Sequence, residues 1–336
     1  MPTKRIEYID ALRGFAMFLV VSAHIIGFSY KAEDLLSFNN IFSNFFLVLF
    51  FFVSGFCAYK PAISDNHTQI KKKFIQLVIP AFAFFTIYCL WRGRGLYSLL
   101  HITTQEYWFT VELFLFFVFY YTSNRLCKNT GKGWANVTLL SVAVLLYVLS
   151  FSHTLIEKTE MGATLFHYLG MRQWRHYIFF VFGVLAHKHF NAFEKFTDNP
   201  HWMALSVIGF FFMVFFAYRI DFPMWKPIRI LLYGTFSIIV IFTFYRKHEN
   251  SFYIDTKLGY TMQYIGRRTM DIYMIHNFLL PHNLDFMGRF FNNYNNPSIE
   301  LLVTTIIALL VIFLSIVIGN IIRLSPTLSH WLLGEK

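Results

Sequence analysis

Charged residues are scarce in this sequence, and their scarcity excludes an ordinary water-soluble domain. Only 14% of the 336 residues are charged, whereas 56% are hydrophobic and 21% are aromatic. A soluble chain of this length cannot bury so much apolar surface, so the excess must face lipid. Apolar runs of about 20 residues predict membrane-spanning helices, because backbone groups in hydrocarbon must be hydrogen-bonded within their own segment.

Other absences narrow the possible functions. The three cysteines, Cys57, Cys89 and Cys127, are widely spaced and form no CxxC pair, so neither structural disulfides nor a metal site is expected. The sequence has no phosphate-binding glycine loop, no GxSxG elbow and no zinc signature. It also has no Pro/Ser-rich linker and no appended soluble domain, so residues 1–336 are expected to form a single membrane domain.

Ten apolar runs predict an all-α, polytopic transmembrane helical bundle of about ten spans. The runs cover residues 11–30, 41–59, 74–91, 107–124, 135–152, 176–190, 201–219, 227–245, 268–284 and 298–318. The sixth and ninth carry ionisable residues and can be short, tilted or partly cavity-lining. Most Lys and Arg residues fall on the side of the two termini, which predicts that both termini are cytoplasmic. The net charge of +11 then follows the inner leaflet and does not indicate nucleic acid.

Two costly side chains stand out in the first apolar run. Arg13 and His24 are eleven positions apart, so on a helix they share a face within about 20° and lie about 16 Å apart along the axis. Ionisable residues at such depth usually face a protein interior or a polar cavity. Asp10, one turn before Arg13, is placed to pair with the guanidinium. The simpler alternatives are a snorkelling Arg13 and a packed, hydrogen-bonded His24.

The order of several motifs resembles the acyltransferase 3 family of integral membrane O-acyltransferases, which includes O-antigen and exopolysaccharide acetylases and fucose 4-O-acetylase-like proteins. The motifs are YIDALRGFAMFLVVSAHI, FFFVSGFCAYKP, KKKFIQLVIP, YWFTVELF, HYIFFVFGVLAHK and IGRRTMDIYMIHNF. The resemblance runs from about residue 5 to residue 320. Lys73 and Gln76 stand where relatives often have Arg-x-x-Arg. Many relatives also carry a C-terminal esterase-like domain. Because no such domain is recognisable in this sequence, the chain is expected to act alone, as a homo-oligomer or with a separate periplasmic partner.

The resemblance implies transfer of an acyl group, most often acetyl from acetyl-CoA, to a hydroxyl of a cell-surface glycan or its precursor at the bacterial inner membrane. It also implies that Arg13 and His24, which match the family's Arg and His of the first span, are the residues tied most closely to activity. The chemistry agrees, because the acceptor hydroxyl needs a base and histidine has an ordinary pKa of about 6.5. His24 is therefore expected to be the general base or an acyl relay. Arg13 is expected to orient the donor, since a guanidinium stays protonated.

Two further groups of residues are predicted to bind the substrates. The donor set is Arg13, Lys72, Lys73 and Arg267, although basic residues here can also be simple inner-leaflet anchors. The acceptor set is Ser54, Trp108, Glu112, Tyr273 and His276. Helix packing is the alternative for Ser54, an interfacial anchor for Trp108 and an interhelical hydrogen bond for His276.

Two functions from other classes compete with the transferase. A transporter or exporter of an envelope precursor would also use ten spans with buried His, Arg and Asp residues, but it should show interrupted helices at matching positions in two halves. A non-enzymatic scaffold in an envelope assembly would tolerate substitution of Arg13 and His24. The sequence favours the transferase.

Overall fold

The structure, a computed structural model, describes residues 6–31, 45–60, 66–127, 132–152, 159–220, 222, 224–294 and 296–335. Regular structure in these ranges is helical and includes no β-strand, which confirms the predicted all-α class. The α-helices are α1 (Glu7–His24), α2 (Phe46–Ala58), α3 (Asn66–Lys73), α4 (Ile79–Trp91), α5 (Trp108–Leu126), α6 (Lys132–Phe151), α7 (Glu160–Tyr168), α8 (Tyr177–Lys188), α9 (Phe190–Asp198), α10 (Pro200–Phe215), α11 (Trp225–Lys247), α12 (Lys257–Arg267), α13 (Thr269–Leu279), α14 (Asp285–Tyr294), α15 (Pro297–Ile322) and α16 (Pro326–Leu333).

Several helical segments have the length and composition of membrane spans. Within the described residues, five segments are long and apolar enough to cross a bilayer: Glu7–Ser29, Asn66–Trp91, Gly133–Phe151, Trp225–Lys247 and Pro297–Ile322. Two shorter apolar helices, Phe46–Ala58 and Pro200–Phe215, coincide with the second and seventh predicted spans. The chain is therefore a multi-pass helical membrane protein.

The ninth predicted span, residues 268–284, is shorter than its apolar run. The run contains α13, whose 11 residues extend about 16 Å, roughly half the hydrocarbon thickness of a bilayer. The helix stops because Leu280 adopts extended backbone immediately before Pro281, and a residue that precedes proline is driven out of the helical region. The third span also differs, since its helix begins at Asn66 and carries the three lysines at 71–73 inside it.

The described helices form two compact units, which are considered separately. The first unit comprises Met1–Val53 and Asn191–Ile318. The second unit comprises Ser54–Phe190 and Gly319–Lys336.

In the first unit, α1 crosses α12 at two glycines. A Cβ on Gly14 would fall on the carbonyl oxygen of Met262, and a Cβ on Gly266 would fall on the carbonyl oxygen of Asp10. Only glycine lets the two backbones touch in this way. The sequence does not predict α12, because the segment between the eighth and ninth spans is too polar for a span and its basic residues also suit leaflet anchors. By packing against α1, α12 holds α1 next to α13, the helix that follows α12 in the chain.

Aromatic side chains fill the interior of the first unit. The ring of Phe242 packs edge-on against Phe52 and Tyr8, with ring centroids 5.6 and 5.8 Å apart, and also contacts Phe193 at 5.3 Å. Aromatic pairs with such offset and tilted geometry stabilise a core beyond their buried area. Phe52, Phe193 and Phe242 are therefore packing residues, whereas other phenylalanines of this unit, such as Phe211, are exposed.

The second unit has its own close contacts. A Cβ on Gly55 of α2 would fall on the carbonyl oxygen of Phe180 in α8, so glycine is again required where the helices touch. Beside this contact, His187 donates from Nδ1 to the carbonyl oxygen of Phe56 at 2.6 Å, and its ring stacks on the Phe56 ring at 4.4 Å. His187 is therefore a packing histidine.

Candidate active site

Arg13 and His24 both contact α13 in the first unit. Arg13 donates from Nη2 to the hydroxyl of Thr269 at 3.1 Å, and Nδ1 of His24 lies 2.7 Å from Nε2 of His276. The two side chains thus point to the same neighbouring helix, as their spacing of eleven residues predicts. Thr269 and His276 are only seven residues, or about 10 Å, apart along α13. The long side chain of Arg13 covers the remaining distance.

The guanidinium of Arg13 is held from two sides. Asp10, a buried residue one turn earlier, places a carboxylate oxygen 3.7 Å from Nη1, which is the pairing expected from the sequence. Thr269 holds the other terminal nitrogen. The Arg13 side chain keeps 34% of its surface exposed, so a ligand can reach it. The sequence does not predict this role of Thr269, whose only signal is its place in the motif GRRTMDIYMIH.

His24 and His276 form a hydrogen-bonded pair of nearly parallel rings that meet edge to edge. Their ring centroids are 4.9 Å apart and the ring planes differ by 17°. His276 is fully buried, whereas His24 is half-buried. Among the described residues, none is hydrogen-bonded to the other ring nitrogen of His24, Nε2. That nitrogen is the group of the pair that can meet a substrate.

The helix that carries His24 changes geometry directly after it. Residues Ile25–Ser29 form a π-helical turn, in which the N–H of Tyr30 bonds the carbonyl oxygen of Ile25 at 3.0 Å. Such wide turns occur mostly as single insertions in α-helices and frequently at functional sites. Nothing in the amino-acid pattern of IIGFS indicated it.

Other predicted residues of the first unit divide into two groups. Tyr273 is buried, and its ring centroid is 5.9 Å from that of His276, so it belongs to the histidine cluster. Arg267 is exposed, and its Nε donates to the carbonyl oxygen of Gln263 on its own helix at 3.3 Å. Arg267 therefore does not join the contact between Arg13 and Thr269.

Lys72 and Lys73 lie in the second unit, where they line one cavity with a third lysine. This lysine pocket has a volume of about 160 Å³ and is lined by Cys57, Ala58, Lys60, Gln69, Lys72, Lys73, Gln76, Phe117 and Tyr121. The ammonium group of Lys73 is 4.4 Å from the centre of the Phe117 ring. The sequence does not connect Lys60 with the lysine run, because Lys60 is eleven positions before it and nothing in the pattern joins them. Three ammonium groups around a small cavity favour an anionic ligand.

A second recess of the same unit lies beside Glu112. This polar groove has a volume of about 270 Å³ and is lined by Thr104, Phe166, His167, Gly170, Arg172 and Gln173. Gly170 has a φ of +60°, and a Cβ there would collide with a carboxyl oxygen of Glu112. Glu112 is fully buried, and neither carboxyl oxygen has a hydrogen-bond partner within the described residues. An unpaired buried carboxyl is costly and calls for an explanation.

The lysine pocket and the polar groove lie toward opposite ends of α5. Tyr121 lines the lysine pocket, while Glu112 lies nine residues, or about 14 Å, earlier on the same helix. Trp108, one turn before Glu112, packs its ring 6.2 Å from that of the buried His176. Ser54 is half-buried beside Gly55 and lines neither recess.

The comparisons with known proteins concern nearly the whole chain. A family model described as an acyltransferase domain matches residues 6–320, and the match runs through both units. Comparison with curated proteins and with solved structures gave no match. The family match favours the transferase over the transporter. In the part of the chain that the structure describes, no three His, Cys, Asp or Glu side chains are grouped closely enough to hold a metal ion.

Proposed function

Because this chain belongs to the acyltransferase 3 family and is a multi-pass membrane acyltransferase, we propose that it moves an acetyl group from acetyl-CoA to a hydroxyl of a cell-surface glycan or of its precursor. We place it in the bacterial inner membrane, where acetyl-CoA would approach from the cytoplasm. The observation that carries the proposal is the common orientation of Arg13 and His24 toward α13.

In the proposed reaction, His24 removes the proton of the acceptor hydroxyl. The oxygen then forms a bond with the acyl carbon, the thioester C–S bond breaks, and the thiolate leaves. A transient acyl group on His24 is the alternative route. Arg13, held by Asp10 and Thr269, orients the donor through a phosphate or the pantetheine amides.

The lysine pocket supports binding of the donor's phosphates. Lys60, Lys72 and Lys73 surround a cavity that suits a phosphate group but is too small for a whole coenzyme A. Lysine binds phosphate as a compact point charge, and several such charges raise the local concentration of an anion. We therefore infer that the nucleotide end of the donor is held here.

Cys57 gives a direct test of donor binding, because it lines the lysine pocket and is exposed, whereas Cys89 and Cys127 are buried. In inside-out membrane vesicles, desulfo-coenzyme A at ten times its dissociation constant should slow maleimide labelling of Cys57 by about tenfold. S-acetylpantetheine, which lacks the phosphates, should protect far less. The measurement is the labelling rate by mass spectrometry.

Matched variants sharpen this test. Replacing Lys60, Lys72 and Lys73 with Gln should raise the KM for acetyl-CoA by about tenfold or more and weaken its salt dependence, since charged contacts are lost. Arg13→Ala should raise the same KM while Cys57 remains protected by desulfo-coenzyme A at saturation. Equal protection by both probes, with an unchanged KM in the lysine variant, would remove the assignment of the pocket.

The polar groove supports binding of the acceptor. Carboxyl oxygens accept hydrogen bonds and sugar hydroxyls donate them, so an acceptor sugar that reaches past Gly170 would pair with the oxygens that Glu112 leaves without a protein partner. Arg172 and Gln173 add donors, and Phe166 adds an apolar surface. We infer that the acceptor binds here, with Trp108 beside it.

The variant Glu112→Leu distinguishes an acceptor-binding role of the Glu112 carboxyl from a purely structural role. If Glu112 binds the acceptor, the variant should lower acetylation of envelope glycans by about tenfold, a loss comparable to one charged hydrogen bond. Glu112→Gln, which keeps one acceptor oxygen, should retain more activity. The readout is the fraction of glycan that carries the mass of an acetyl group. Normal acetylation in a Leu variant that is as stable as the wild type, or more stable, would show that the carboxyl has no ligand.

A further inference from the structure

The contacts of His276 determine which ring nitrogens of His24 and His276 carry hydrogen. Nδ1 of His276 is 2.9 Å from the carbonyl oxygen of Ile272 and 2.9 Å from that of Tyr273. A carbonyl oxygen only accepts, so Nδ1 of His276 carries the hydrogen and donates it to both.

The position of that hydrogen sets the tautomer of both rings. In a neutral imidazole only one nitrogen is protonated, so Nε2 of His276 has a free lone pair and accepts a hydrogen bond. Its partner at 2.7 Å, Nδ1 of His24, must then be the donor. The lone pair of His24 is therefore on Nε2, the nitrogen without a partner among the described residues.

We propose that His276 is a positioning residue, which holds His24 in the Nδ1–H tautomer and receives a proton from it during acyl transfer. The second half of this proposal rests on the proposed function. It replaces the expectation that His276 contacts the acceptor, since both of its ring nitrogens are engaged and its side chain is fully buried.

The proton steps balance as follows. The acceptor O–H bond breaks and its proton binds Nε2 of His24, while Nδ1 of His24 passes its own proton to Nε2 of His276. The positive charge then resides on His276, whose Nδ1–H still donates to two carbonyl oxygens and which lies in the last turn of α13, where the helix dipole favours a cation. The acceptor oxygen bonds the acyl carbon and the C–S bond breaks. The departing thiolate takes the proton from Nε2 of His24, while Nε2 of His276 returns its proton to Nδ1 of His24. The pair is left neutral again.

This arrangement differs from a carboxylate-backed histidine. A carboxylate partner would place a fixed negative charge beside His24, whereas a neutral imidazole supplies the same acceptor atom without a charge in an apolar surrounding. The contacts that set the tautomer of His276 are local, because its Nδ1 reaches the carbonyl oxygens of the residues three and four positions earlier on its own helix.

The tautomer is tested directly by nitrogen-15 NMR of histidine-labelled protein in lipid bilayers, with His24 assigned by comparison with His24→Gln. We expect a protonated Nδ1 and an unprotonated Nε2 on His24 in the wild type. In His276→Ala the tautomers should mix, and in His276→Gln the amide oxygen should restore the Nδ1–H form. A wild-type His24 that is protonated at Nε2 and not at Nδ1 would overturn the proposal, whatever the result of the Cys57 labelling.

Kinetics of three His276 variants test the proton-accepting role. His276→Ala should lower kcat by at least about tenfold with little change in the KM for acetyl-CoA. His276→Gln keeps the tautomer but cannot take the proton, so its kcat should lie between those of His276→Ala and the wild type. His276→Glu can accept a proton and should exceed His276→Gln. If His276 were only a packing residue, the buried charge of Glu would make that variant the worst of the three, and this order would contradict the relay. Where His276→Glu does not fold, the NMR comparison still decides the positioning role.

Discussion

His24→Gln is expected to lower acyl transfer by about 10² to 10⁴-fold, the usual contribution of a positioned general base. Glutamine keeps hydrogen-bonding capacity near His276 but has no basic nitrogen for the acceptor hydroxyl. The variant should still fold and insert, because His24 is only half-buried and contacts His276 through a single hydrogen bond. The measurement is release of coenzyme A from acetyl-CoA together with acetylation of envelope glycans.

His187→Gln is the matched control for His24→Gln. Its imidazole bonds the Phe56 carbonyl oxygen and stacks on the Phe56 ring, so its loss should lower stability while leaving the turnover of folded protein near normal. Desulfo-coenzyme A should protect Cys57 in both variants. Normal transfer by a folded His24→Gln protein would remove His24 from the reaction and leave the scaffold or transporter interpretations to be tested.

Gly14→Ala is expected to disrupt the packing of α1 against α12 and to lower the stability of the protein. The added methyl group would occupy the place of the Met262 carbonyl oxygen, and a backbone atom cannot move aside as a flexible side chain can. Overpacking typically costs about 1–3 kcal/mol, and a clash with backbone should reach the upper end of that range, about 3 kcal/mol. Because Asp10 and Arg13 lie within about one helical turn before this glycine, activity should fall with stability. The measurement is the thermal unfolding of protein purified in detergent.

Gly27→Ala provides the control on the same helical segment. Nothing lies within 4 Å of a Cβ at Gly27. The free energy of unfolding of this variant should therefore differ from that of the wild type by no more than about 0.5 kcal/mol. Gly266→Ala, which meets the Asp10 carbonyl oxygen, should behave like Gly14→Ala. Equal stability of Gly14→Ala and Gly27→Ala would mean that α1 and α12 are not in backbone contact at this point.

The sequence predicted what depends on a single helix. The eleven-residue spacing placed Arg13 and His24 on one face, the spacing of three placed Asp10 next to Arg13, and the apolar runs predicted an all-α membrane protein. The motifs also predicted the family, which the match over residues 6–320 confirms. The inferences about α1 and the fold class required only helical geometry and hydropathy, whereas the family inference required the motifs and their order.

What depends on contacts between helices was not predictable from the sequence. The periodicity of α1 does not reveal that Thr269 and His276 are the partners of Arg13 and His24, since they are more than 250 residues away. The polar α12 carries no span signal, although it fixes the position of α1. Lys60 likewise joins Lys72 and Lys73 only through the fold.

The double attachment of α1 to α13 has a mechanical consequence. Thr269 and His276 occupy one short rigid rod of 11 residues, so sliding that rod by a single turn, about 5 Å, would break both hydrogen bonds at once. The Thr269 contact of Arg13 and the His276 contact of His24 would consequently be lost or regained together, while Asp10 would stay beside the guanidinium. A displacement of α13 by one turn would therefore act on the donor-facing and the acceptor-facing side chains of α1 at the same time.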